Sequence, residues 1–138
     1  MKYLEELQNA IKEENFMEIE DVLAKIEEDE SKYVLEYINE ILIFIEENPN
    51  LDYGNPGLIG FFFEEYYKAG YEELLLKSVE RFPTMYTVSL LNAILNDSFL
   101  KNRDVFLAAL HNVTLREDIP SYVKKEAKEL YLYQKAKC

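Results

Sequence analysis

Apolar residues recur at intervals of three and four along nearly the whole chain, and a two-residue alternation is nowhere sustained. Side chains at i, i+3, i+4 and i+7 share one face of an α-helix, whereas a half-buried strand needs strict alternation. The pattern therefore predicts an all-α fold. Only four Pro and four Gly interrupt the 138 residues, so breaks are few. A hydrophobic content of 49% is enough for a self-sufficient core in one domain of this length.

The first helix is expected over residues 2–13, with Leu4, Leu7 and Ile11 on one face. Asn15 suits the N-cap of a second helix, and Glu18 three positions later suits a reciprocal capping arrangement. That helix turns Ile19, Val22, Leu23 and Ile26 inward, and its stripe loosens over residues 28–31. A third helix follows to Glu47 and stops at Asn48-Pro49, because the residue before proline disfavours helical geometry.

The stretch YGNPGLIGFFFEEYYKAGYEE, Tyr53 to Glu73, holds all four glycines. Asn55 and Pro56 suit the start of a helix running to Ala69, on which Ile59, Phe62, Phe63, Tyr66 and Tyr67 form a broad stripe. An aromatic stripe at this spacing is read as core, with tyrosine hydroxyls free to reach an edge. Gly57 and Gly60 lie one turn apart, a spacing that admits a neighbouring helix closely, and Gly70 suits a left-handed helix end.

Further helices are expected over 71–82, from a Thr84 cap to Asn96, from an Asn102 cap through Phe106 and Leu110, and from about Asp118 onward. The total is about eight short helices in antiparallel hairpins. They are read as one domain, 1–138, made of an acidic third (1–50), an aromatic centre (53–96) and C-terminal helices (102–137). A stack of such hairpins would be a short HEAT-like array. No fixed-period repeat marks one, so stack and compact bundle both fit.

The net charge is −12, and residues 1–50 hold 15 acids against 4 lysines. Such a surface repels nucleic acid and anionic membrane and attracts a basic partner. Met1-Lys2-Tyr3 leads straight into acidic amphipathic sequence, and the single cysteine, Cys138, cannot form an internal disulfide. A cytoplasmic protein is the expectation.

Catalytic constellations are not apparent. The single histidine, His111, sits near a helix C-terminus, where dipole pairing accounts for it. One His and one Cys cannot make a zinc site, and no calcium loop or phosphate-binding glycine motif occurs. Glu64-Glu65 and Glu72-Glu73 lie near the aromatics, but adjacent residues point about 100° apart on a helix and do not make a dyad. They are read as a solvated edge. The expectation is a chain that is not an enzyme and uses no cofactor or metal.

The segment from Tyr53 to Asn96 resembles the central part of small all-helical immunity proteins of bacterial polymorphic-toxin and contact-dependent inhibition systems. The likeness lies in Gly54 to Gly57, Phe61 to Tyr67, Gly70 to Glu72, Arg81 to Thr84 and Thr87 to Asn92. It implies stoichiometric binding of a cognate toxin, a basic nuclease-like one given the acidic surface. Glu18, Asp21, Glu28, Glu36, Glu40 and Glu47 lie off the apolar stripes of the second and third helices and are the expected partner-binding residues. The alternatives are a helical scaffold or adaptor that binds a cellular protein or peptide without a toxin, and a DNA-mimic inhibitor using the same acidic surface.

Overall fold

The computed structural model describes residues 1–137; Cys138 lies outside them. The fold is all-α, with eight α-helices, one 3-10 turn and no strand among the described residues. The chain divides into two compact units, Met1–Leu74 and Leu75–Cys138, and the division falls inside a helix.

The first unit contains α1 (Leu4–Lys12), α2 (Phe16–Asp29), a 3-10 turn (Ser31–Tyr33), α3 (Val34–Glu47) and α4 (Gly57–Glu64). α1 packs on α2 and α3, and α2 packs on α4. Leu7, Val22, Ile26, Ile38, Ile41 and Ile45, from the expected stripes, are almost fully buried. Asn15 caps α2 as expected, its Oδ1 accepting from the Glu18 N–H at 3.2 Å. The reciprocal bond does not form. The Asn15 N–H donates instead to the Ala10 carbonyl at 3.0 Å, and Glu14 takes the left-handed conformation that closes α1. The chain also breaks after α2, so α2 and α3 are separate helices.

Tyrosine hydroxyls tie down the N-terminal segment. Tyr37 is fully buried; its hydroxyl donates to Glu30 and accepts from the Tyr3 N–H at 3.1 Å. The Tyr3 hydroxyl donates to Asp29, and the Lys2 N–H donates to Glu30 at 2.7 Å. The Asp29 bond pushes the Tyr3 phenol up to about 12. Burial, then the Glu30 bond, does the same to Tyr37. The Glu30 carboxyl is lowered, first by Tyr37 and then by the Lys2 N–H.

α4 is shorter than its aromatic stripe, ending at Glu64 rather than Ala69. The following turn places Lys68 at φ +68° and Gly70 at φ +121°. Glu72 explains this turn. Its buried carboxylate accepts from the Lys68 N–H at 2.7 Å and the Gly70 N–H at 3.3 Å, donors that a continuing helix would have given to backbone carbonyls. Glu72 is therefore not a solvated edge residue. Gly70 also lets α3 approach, since a Cβ there would stand 3.0 Å from Leu35 Cδ1. Gly57 has a different role from the expected one. A Cβ there meets nothing within 4 Å, and the residue is needed for its φ of +72° at the start of α4.

α5 (Tyr71–Arg81) crosses the division. The second unit continues with α6 (Met85–Leu95), α7 (Arg103–Val113) and α8 (Ser121–Ala136), which pack on one another. Thr84 caps α6 in a reciprocal box with Thr87. Asn102 does not cap α7 through its side chain; it lies in the left-handed region and turns the chain there. Gln134 is fully buried and joins the three helices. Its Nε2 donates to Asn92 Oδ1 at 2.7 Å and Asn96 Oδ1 at 2.8 Å, and its Oε1 accepts from Arg103 Nη2 at 2.9 Å. Arg116 donates to the Glu80 carbonyl at 2.7 Å, serving the C-terminal end of α5, and pairs bidentately with Asp118, whose carboxyl it lowers to about 2.

Candidate functional site

An open groove of about 410 Å³ lies in the first unit. One wall is the end of α1 and the start of α2, and the other is the loop and helix from Asp52 to Phe61. Its floor is the buried set Ile11, Ile19, Tyr53 and Ile59. Its lips are Phe16, Met17 and Phe61, which are 55%, 80% and 57% exposed.

Local chemistry places each of these side chains. Because Asn15 caps α2, Phe16 and Met17 occupy its first two positions and stand outward while Ile19 turns in. The opposite wall is folded by Asp52, whose Oδ1 accepts from the Gly54 N–H at 2.9 Å. Gly54 has φ +85°, and a Cβ there would lie 2.5 Å from Gly57 Cα, so the loop closes tightly. Tyr53 is fixed by its hydroxyl, which donates to the Asn48 carbonyl at 2.7 Å. On α4, Phe62 and Phe63 go into the core and leave Phe61 outside.

Most of the aromatic stripe is thus core, as its spacing implied. Phe62 stands edge-on to Tyr66 at 5.5 Å and Phe63 lies 5.1 Å from Tyr71. The Tyr66 hydroxyl donates to Glu27 at 2.9 Å. Phe61, which lies beside the stripe, stays outside the core, and with Phe16 and Met17 it forms the site that sequence spacing alone did not single out. A signal existed, since Phe16-Met17 directly follow a capping residue where an outward apolar pair is unexpected.

None of the six acids expected to bind a partner lines this groove. Glu36 and Glu40 come together in a second, shallower cleft of about 340 Å³ with Leu35, Asn39 and Leu74. Asp21, Glu28 and Glu47 are exposed on their helices. Glu18 is half-buried against Glu6, whose hydrogen bond and negative charge raise its carboxyl. The groove's own acids are Glu20 and Asp52. His111 is exposed, with its ring 4.6 Å from that of Tyr131. Among the described residues, no cluster of three His, Cys, Asp or Glu side chains is placed to hold a metal. No helix is long and apolar enough to cross a membrane among those residues.

Fold and groove together describe an all-helical chain whose first unit carries an open cleft with exposed apolar lips. The family model for the Cdc37 C terminal domain matches residues 2–50, from α1 to just beyond α3, and so includes one wall of that cleft. No curated protein matches the chain, and no solved structure does.

This similarity corrects the functional expectation. The matched family is not a bacterial immunity family, and the match falls on the acidic third rather than on the 53–96 segment that carried the resemblance. That resemblance rested on turn glycines, an aromatic helix, the Arg81 to Thr84 break and leucine spacing. The structure accounts for the glycines and the apolar spacing locally, through the φ values of Gly54, Gly57 and Gly70 and through helix burial. The immunity assignment, its bacterial contact-dependent inhibition setting and its basic toxin partner are therefore withdrawn. The adaptor alternative is the better supported reading.

Proposed function

We propose that this chain is a non-catalytic cytoplasmic adaptor that holds an apolar segment of a cellular protein in the groove of its first unit. The observation that carries the reading is the exposure of Phe16, Met17 and Phe61 around one cleft with a buried apolar floor. Large apolar side chains grouped in this way at a surface mark interaction sites. The cleft lies at the lower end of the ~300–1,000 Å³ range of ligand pockets. Its lips continue into open water, which suits a polypeptide better than an enclosed small molecule. A methionine at the lip adapts readily to different partners. The similarity of residues 2–50 to the Cdc37 C terminal domain supports an adaptor over a toxin inhibitor.

The test compares the full chain with a Met17→Ser/Phe61→Ser variant in crosslinked extracts of its own cells. Both positions are exposed, so helicity and stability should change by no more than ~0.5 kcal/mol. A defined set of proteins should be held by the parent at physiological salt and lost by the variant. Recovery of the same set by both chains would overturn the reading.

A further inference from the structure

We infer that the segment the groove takes is amphipathic and cationic, an apolar stripe flanked by Lys or Arg; this rests on the adaptor reading above. Charge complementarity at an apolar site selects such a segment. Glu20 and Asp52 are the charged residues lining the cleft, one on each wall. The wall segments, residues 11–20 and 52–61, also carry Glu13, Glu14 and Glu18 against a single base, Lys12. The Lys12 ammonium sits over the Phe44 ring, 5.8 Å from its centroid, and Phe44 is not part of the cleft. Elsewhere in the first unit, Lys25 pairs with Glu6 at 3.6 Å and Lys68 lies over the Tyr67 ring.

A partner's apolar side chains would cover Phe16, Met17 and Phe61, and its flanking cations would meet Glu20 and Asp52. An acidic partner would face uncompensated carboxylates on both walls. The apolar contact sets retention, and the rim charge sets selection and approach. Helices laid in grooves are read by apolar anchors at i, i+3/i+4 and i+7. A peptide with that spacing and lysine ends is therefore the natural probe.

The experiment measures fluorescence anisotropy of three labelled peptides against the full chain. One has an apolar helical stripe with lysine flanks, the second the same stripe with glutamate flanks, and the third lysine flanks with serines in place of the stripe. The lysine-flanked apolar peptide should bind roughly tenfold tighter than the glutamate-flanked one, equivalent to ~1.4 kcal/mol. Added salt should narrow that gap. Glu20→Lys should narrow it too, while Phe61→Ser should weaken both apolar peptides. Equal binding of the two apolar peptides would overturn the charge selection and leave the adaptor reading standing. No saturable binding of either, or no effect of Phe61→Ser, would overturn both. Equal binding of the serine peptide would show contact with the acidic surface alone and overturn the groove. Binding to phosphatidylcholine vesicles in preference to any peptide would assign the lips to a lipid surface and overturn the proposal.

Discussion

Tyr37 shows how much one side chain can join. It lies on α3 with an ordinary inward position in the helical stripe, yet its hydroxyl meets both Glu30 and the Tyr3 backbone. Periodicity finds the ring; the hydroxyl's partners are 7 and 34 residues away in sequence and leave no local signal. Tyr37→Phe should keep the packing and lose both bonds, costing about 1–3 kcal/mol at neutral pH by thermal or denaturant unfolding. The pH dependence has two limbs. The Glu30 carboxyl is lowered from 4.5, so its stabilisation is present above that value and lost as pH falls through its lowered one. The Tyr37 phenol is raised from 10.0 to about 12, so its contribution is present below 10 and lost as pH rises towards 12. The gap between parent and variant should therefore be widest between these limits. A gap near zero at every pH would show that the hydroxyl network contributes nothing to folding.

At the scale of elements, helix existence was legible and helix ends were only partly so. The stripes of α1 to α3 and the caps Asn15 and Thr84 are local, so spacing reveals them. The early end of α4 is not local. It depends on Glu72 reaching back to the Lys68 and Gly70 amides, a contact that competes with helix continuation. Asn102 looked like a cap because asparagine serves both as a cap and as a left-handed residue; the latter role applies here. Gln134 was invisible for another reason. In α8 it reads as one polar residue among many, and only packing against Asn92, Asn96 and Arg103 makes it central. Gln134→Leu should leave these groups short of partners and cost about 2–4 kcal/mol. Hydrogen exchange should quicken in α6 and α8 of this variant, while α1 and α2 keep their protection. Equal loosening in both units would mean the knot is not confined to the second.

At the scale of the molecule, net charge was legible but its use was not. Residues 1–74 hold twenty acids against five bases, and residues 75–138 seven against ten. Composition identified the acidic surface, and the resemblance together with the apolar stripes pointed to six carboxylates off those stripes, none of which lines the cleft. The apolar cleft went unread because its lips come from two segments more than forty residues apart, and periodicity compares only neighbours. The crowding of acids has a measurable consequence. The Glu65 carboxyl is raised by hydrogen bonding to Glu27 and by that neighbour's charge, and Glu18 is raised by Glu6 in the same way. A raised carboxyl contributes stability below its unfolded value, near 4.5, and loses it as pH rises through the folded value. Stability of the first unit should therefore rise as pH falls from neutrality towards 4.5. It should turn over below about 4.5 as the lowered Glu30 begins to lose its contribution. Glu65→Gln removes one of the two like charges, so it should stabilise at pH 7 by under ~1 kcal/mol, the scale of solvent-screened pairs. The gain should shrink as pH falls, because acid neutralises the same repulsion in the parent. Thermal melts of parent and variant from pH 8 to pH 3 decide the matter: a parent curve with no rise between pH 8 and pH 4.5, or a variant gain unchanged at every pH, would show that these carboxyl pairs are not electrostatically coupled.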